Sequence, residues 1–474
     1  MPGQSSSKSS SNVESNALLF VVLWALSFLV HQLKHAPWPT SISPELAIVR
    51  LLMVLSAIAV IWRPRDARLF VSMVALQLAS VLIQLPGMSN CWMFSGIAGI
   101  GILAGAIRVS RSSKPFSTIS IYEEVVPFLR VALIAFYSLA ALAKYNHDFL
   151  NPESSDAAYI AYMFADSFRL PAWDVIGTGG IWGALFFETA IPILLFLPVT
   201  RRHGVLLGLF FHTVLAHNPK MRVIDFNAML FAMYVTFTPD SFARTLWEDA
   251  VARTTWIATL VRNRMLVLLS LVGVSAVMIA WQIYAGSGRM LINYSSRLWL
   301  VIGCSITIIA YLGLFGNKAK CEPIEKPFRL RSLADFAVIG IVLLNGLSPY
   351  LGLKTVVSFT MFSNLRTETG YENHLFIPKW LKCFDLQDHP VQIAASTVPE
   401  LARYAENGDL LLLYDLQLRA QNFPEHSVTY ISDGKEIVVP RISDDPLLGS
   451  PLPYLAKKCL MFRPIQLDSK QPHW

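Results

Sequence analysis

Apolar residues in this chain fall into long runs of roughly 17–25, the length a helix needs to cross the hydrocarbon of a bilayer. Short polar stretches separate the runs. About eleven spans are predicted, near 17–33, 44–62, 68–86, 90–107, 120–144, 176–198, 203–217, 223–239, 265–285, 297–315 and 333–352. The first sixteen residues are polar and Ser-rich, and read as a disordered tail. After residue 353 the pattern changes. HSVTYIS and KEIVVPRI alternate as strands around an Asp433-Gly434 turn. VPELARYAEN has the spacing of a short amphipathic helix. The predicted architecture is an all-α polytopic bundle at 17–352 with a small C-terminal extracytoplasmic α+β domain at 353–474.

Composition agrees with a membrane protein. Of 474 residues, 54% are hydrophobic and only 15% are charged, with a mean hydropathy of +0.47. Soluble chains carry about 25% charged residues. The formal charge of +7 does not point to nucleic acid, because the basic residues sit between apolar runs and form no stripe. They do set an orientation. The even-numbered loops hold Arg63, Arg65, Arg68, Arg108, Arg111, Lys114, Arg201, Arg202, Arg244, Arg253, Arg262, Arg264, Lys318, Lys320, Lys326, Arg329 and Arg331. The odd-numbered loops hold only Lys34, Arg169, Lys220, Arg222, Arg289 and Arg297. Basic loops stay in the cytoplasm, so the N-terminus is expected inside and the C-terminus outside. No cleavable signal peptide is evident. Cys91, Cys304, Cys321, Cys383 and Cys459 show no zinc-ligand spacing. Cys383 and Cys459 share the outer domain, where an oxidising compartment would permit a disulfide.

Polar groups inside apolar runs are the candidates for chemistry. Lys144 closes the fifth span, with Ala141, Ala140 and Tyr137 on its helix face. Small residues there let a second helix approach, which turns the lysine toward protein. It is either a snorkelling anchor or a desolvated base. His212 lies within LLGLFFHTVLAH, as an interhelical bond or a proton carrier. Glu188 precedes Pro192 by four residues and pairs either with a proton path or with another helix. Asn90 and Cys91 open the fourth span, on the same side as Lys144. Arg366 and His374 lie in TMFSNLRTETGYENH, which either caps a cavity or fastens the outer domain. Asp225 near a helix start is explained by the helix dipole. His31 and His35 form a weak ligand pair at the interface. No P-loop, dinucleotide fingerprint, HExxH or GxSxG occurs.

AALAKYNHDFL, then FFETAIPILLFLPVTRRHGVLLGLFFHTVLA, then the aromatic segment ending FTPD resemble the horizontally transferred transmembrane domain family, related to vitamin K-dependent gamma-carboxylase. SFTMFSNLRTETGYENHL also resembles a segment found after the membrane part of bacterial members. The similarity spans roughly residues 17 to 375 and is mostly apolar. It implies a fold and a site for a reduced, lipid-soluble quinone. By resemblance, Lys144 stands where the carboxylase has its base, and His212 matches a histidine after paired phenylalanines. Asn90 is also matched, but Cys91 replaces a histidine, and a thiol cannot stabilise an anion as an imidazole does. The carboxylase's large lumenal region is replaced by a shorter tail, so protein carboxylation is not carried over.

Two functions follow. One is a carboxylase-like or quinone-dependent membrane enzyme, with Lys144 as base, His212 sharing the proton, and Asn90 and Glu188 as hydrogen-bond partners. The other is a non-catalytic assembly, export or immunity partner whose outer domain binds another protein. The family's spread points to a bacterial cytoplasmic membrane.

Overall fold

A computed structural model of the chain describes residues 3–34, 43–217, 223–253, 289–315 and 328–466. Seven of the described helices are long and apolar enough to cross a membrane, and the chain is a multi-pass membrane protein. These are α1 (Gly3–Lys34, apolar from Asn12), α2 (Pro44–Trp62), α3 (Ala67–Gln84), α4 (Asn90–Ser110), α5 (Thr118–Leu142), α8 (Asp174–Phe196) and α12 (Arg289–Phe315, apolar from Arg297). Between them lie α6 (His147–Leu150), α7 (Asp156–Ser167), α9 (Arg201–Ala216), α10 (Ile224–Val235) and α11 (Phe242–Arg253), and α13 (Leu333–Leu347) follows. Of the eleven expected spans, the seventh and eighth correspond to α9 and α10, of 16 and 12 residues. The ninth, at 265–285, lies outside the described residues, as do His35 and Cys321.

The first sixteen residues, expected as a disordered tail, overlap the first helix. Helix α1 starts at Gly3. Asn16 is buried, donates to the Pro239 carbonyl at 2.8 Å and accepts from the Ala243 amide at 2.9 Å. One polar side chain thus satisfies two backbone groups flanking the start of α11, and the polar stretch continues the helix.

The chain forms two compact units. The first comprises 1–83, 91–137 and 187–341. Within it α4 meets α5 closely. A Cβ at Gly101 would lie 2.0 Å from the Phe128 ring, and one at Gly105 would lie 2.3 Å from Val125. The four-residue spacing puts both glycines on one face, the small-residue packing of membrane helices. Several charges in this unit are paired. Arg108 pairs with Glu124 at 2.8 Å and with Asp335 at 3.0 Å, and Arg331 reaches Glu124 at 2.5 Å. The cluster joins the end of α4, the start of α5 and the start of α13. Arg130, inside α5, donates to the Thr236 carbonyl at 2.5 Å. A cation there faces the C-terminal end of α10, where unpaired carbonyls gather.

The second unit comprises 84–90, 138–186 and 342–474. In it α7 lies along α8: a Cβ at Gly180 would meet the Ala157 carbonyl at 2.7 Å. Its sheet has four antiparallel strands in the order β2-β1-β3-β4. These are β1 (Pro390–Ser396), β2 (Leu410–Leu412), β3 (Val428–Ser432) and β4 (Lys435–Val439). The expected hairpin is present, with Ser432 opposite Lys435 and positive φ at Asp433 and Gly434. That is the turn geometry whose twist suits a two-residue loop. The expected amphipathic helix is α14 (Pro399–Asn407), closed by Gly408 in the left-handed region. Two more helices, α15 (Leu413–Ala420) and α16 (Tyr454–Cys459), complete the unit. Val391, Leu401, Leu411, Leu416 and Tyr430 form its core. Cys383 and Cys459 are both exposed free thiols.

Gly101→Leu is expected to destabilise the first unit by about 1–3 kcal/mol through overpacking against Phe128. A lower midpoint for thermal unfolding in detergent checks this; an unchanged midpoint would mean the helices are not in close contact.

Candidate functional site

Past the end of α13 the chain enters an irregular, largely buried segment, 354–364. Val357, Phe359, Phe362 and Asn364 all have positive φ. β-branched and bulky residues rarely take that conformation, and each instance is unfavourable by about 1–3 kcal/mol. Buried backbone without helix or sheet pairing must find other partners. The Met461 carbonyl accepts from the amides of Thr355 and Val356, and the other partners include side chains that the sequence singles out.

Lys144, two residues beyond α5, is 4% exposed. Its ammonium donates to the Met361 carbonyl at 3.0 Å and to the Ala140 carbonyl at 3.4 Å. The Phe149 ring lies 6.0 Å away, within cation–π range. Asn90, the first residue of α4, accepts from the Phe359 amide at 2.7 Å. His374 bonds the Leu142 carbonyl through Nε2 at 3.0 Å. Its Nδ1 accepts from the amides of Phe376 and Ile377 at 3.0 and 2.9 Å. That pattern requires a neutral ring with the proton on Nε2. Arg366 approaches Asp148 at 3.3 Å. Two predicted site residues, Lys144 and Asn90, thus tie this segment to helix ends, while His374 and Arg366 bond residues 142–148 from just beyond it.

Three further residues belong to the same arrangement and are missed by sequence reasoning as site residues. Asn146 is fully buried. It donates to the carbonyls of Ala143 and Ser363 at 2.8 and 2.6 Å and caps α6 by accepting from Phe149 at 2.8 Å. Asn345 donates to the Val357 carbonyl at 3.0 Å. Asn373 bridges Asn364 and Asp148 at 2.8 and 2.9 Å. An Asn before a short helix is a capping signal, but nothing in its spacing shows the second bond to Ser363. Lys354 is also buried, and loss of solvent lowers its pKa to about 8.

The other predicted residues belong to the first unit. His212 Nε2 lies 2.6 Å from the Tyr137 hydroxyl, which in turn lies 2.5 Å from the Tyr234 hydroxyl. Phe211 and Phe226 pack on the imidazole at about 5 Å. A Cβ at Gly208 would sit 1.9 Å from the Tyr234 hydroxyl, so glycine makes room for this chain of bonds. Glu188 is buried and interacts electrostatically with Tyr137. Cys91 is buried in α4, and its neighbour Trp92 stacks on His31 at 3.7 Å.

His31 is buried. Its Nδ1 lies 2.7 Å from Asp225 Oδ2, and Lys34 donates to Oδ1 at 2.9 Å. Asp225 also accepts from the Phe226 amide at 3.0 Å. The dipole explanation of Asp225 is therefore incomplete: it balances a cation and fixes an imidazole from another helix. Among the described residues no group of His, Cys, Asp and Glu could hold a metal ion.

Burial lowers the pKa of His374, against a smaller opposing effect of the bond to Leu142. The unfolded chain, with a histidine pKa near 6.5, then takes up the proton first as pH falls. Stability is therefore complete above about pH 6.5 and declines below it. Thermal midpoints measured from about pH 8 to about pH 5 should show this decline, and His374→Gln should reduce it. Equal slopes for both proteins would assign the decline to other groups.

No family model, curated protein or solved structure matches this chain.

Proposed function

We propose that this chain is a non-catalytic membrane protein, akin to the horizontally transferred transmembrane domain proteins. In this reading it serves assembly, export or immunity by presenting its second unit to a protein partner. Its setting is a bacterial cytoplasmic membrane, with the N-terminus inside, as the loop charges favour. The observation that carries the reading is the ammonium of Lys144 on the carbonyls of Met361 and Ala140. A base must offer a lone pair to its substrate. The Met361 and Ala140 carbonyls accept from the ammonium, which has three donors and no acceptor. The residue that the resemblance casts as a base is occupied as a fastener.

A second reading rests on the buried sequence His212–Tyr137–Tyr234. Hydroxyls and an imidazole in one hydrogen-bonded line can pass a proton, which a quinone-linked enzyme requires. In that reading His212 carries the chemistry and Glu188 tunes Tyr137.

Lys144→Met, Lys144→Arg and His212→Gln separate the two. For the first reading, Lys144→Met leaves the Met361 carbonyl without its donor and lowers stability by about 1–3 kcal/mol. Lys144→Arg keeps a donor and recovers part of the loss. Wild-type protein incubated with reduced menaquinone and labelled carbon dioxide should incorporate nothing. Incorporation by the wild type that all three variants lose would overturn the non-catalytic reading in favour of the enzyme.

A further inference from the structure

The second unit carries large apolar side chains that its own core does not use. Phe376 is 66% exposed, Trp380 79% and Tyr454 72%, with Leu455 beside Tyr454. They lie in two segments far apart in sequence, LFIPKWLKCF and PLPYLAKKC, each mixing aromatic residues with lysine. Water alone gives no reason to leave such rings uncovered.

Their attachments show where they sit. The first segment is fixed to the residues just beyond span α5. The Leu375 amide donates to the Tyr145 carbonyl at 3.0 Å, and the Phe376 ring packs on Tyr145 at 5.5 Å. The second is fixed to the residue just beyond span α3, where Lys458 donates to the Leu85 carbonyl at 3.2 Å. A third exposed aromatic, Trp173 at 58%, immediately precedes span α8. Ends of α3, α5 and α8 all belong to this one compact unit. The exposed rings therefore lie in segments bonded to residues next to the ends of spans.

We propose that Phe376, Trp380 and Tyr454 form a lipid-facing rim that inserts into the headgroup layer of a phospholipid bilayer. Aromatic rings with a polar edge prefer that layer, and lysine stems reach from it toward phosphate. Lys379 adjoins Trp380 and pairs with Glu372 at 3.0 Å, and Lys457 lies three residues after Tyr454. Such an anchor holds the unit against the membrane surface through two segments that do not themselves span it.

This inference rests on the reading of the chain as a membrane protein, and the test separates the two. A photoreactive benzoyl-phenylalanine replaces one residue at a time in the full-length protein, reconstituted in nanodiscs of phosphatidylcholine and phosphatidylglycerol. The positions are Phe376, Trp380, Tyr454, Trp182 on the exposed side of α8, and Val438 on β4. After illumination, lipid adducts are read by mass spectrometry. Adducts at 376, 380 and 454 with yields comparable to 182, and none at 438, are expected. Adducts at 182 alone would overturn the rim and leave the spans. Adducts of 376, 380 or 454 with a second protein chain would also overturn it. Absence of lipid adducts at all five, 182 included, would remove the membrane reading and the rim with it.

Discussion

Unpaired backbone in a dry environment is the constraint on which the rest of the second unit depends. Helices satisfy their own amides, but the segment from Lys354 to Asn364 does not. Its strained residues are bulky and largely buried. At membrane depth such backbone survives only inside protein. The structure meets this by gathering amide side chains and one ammonium around it. Asn90 takes the Phe359 amide, Asn345 the Val357 carbonyl, Lys144 the Met361 carbonyl and Asn146 the Ser363 carbonyl. Each bond contributes about 0.5–1.5 kcal/mol net, and more where a charge is involved. The strain is of similar size, so the segment holds its path only while these donors and acceptors stay in place.

The first unit handles charge by a parallel rule. Several buried ions lie against a helix end or a counter-ion. Arg130 meets the carboxyl end of α10, Asp225 meets Lys34 and an imidazole, and Arg108 meets two carboxylates. An isolated charge in this setting would be far more unfavourable than any single packing contact. These arrangements account for Arg130, Asp225 and Arg108 by pairing within the protein.

How much of this was legible in the sequence depends on the range of the interaction. The spans were legible because a bilayer imposes length: α2 and the apolar part of α12 have the limits that hydropathy predicts. The β3–β4 hairpin was legible because Asp-Gly supports the positive φ that its turn needs. Helix α7 was not, because its polar residues break the apolar run and its burial depends on α8. The pair of His31 and Asp225 was not, because the partners are 194 residues apart. The conformation of 354–364 was least legible of all. Val357 and Phe359 argue locally against positive φ, and only distant side chains make it tenable.

The candidate residues show the same division. Sequence marks which side chains are out of place in an apolar setting, and Lys144, His212, Asn90 and Glu188 are all buried or held by specific bonds. It does not mark what the bond is for. A lysine at a helix end has one appearance in sequence whether it accepts a proton or donates three. The acceptors decide. Backbone carbonyls are fixed parts of the chain, so the bonds of Lys144 to Met361 and Ala140 fasten one part of the fold to another. Displacing the Met361 carbonyl would remove one acceptor of the ammonium and also loosen a strained segment. A base role would therefore require the segment to move first, which couples any chemistry at Lys144 to the order of the second unit.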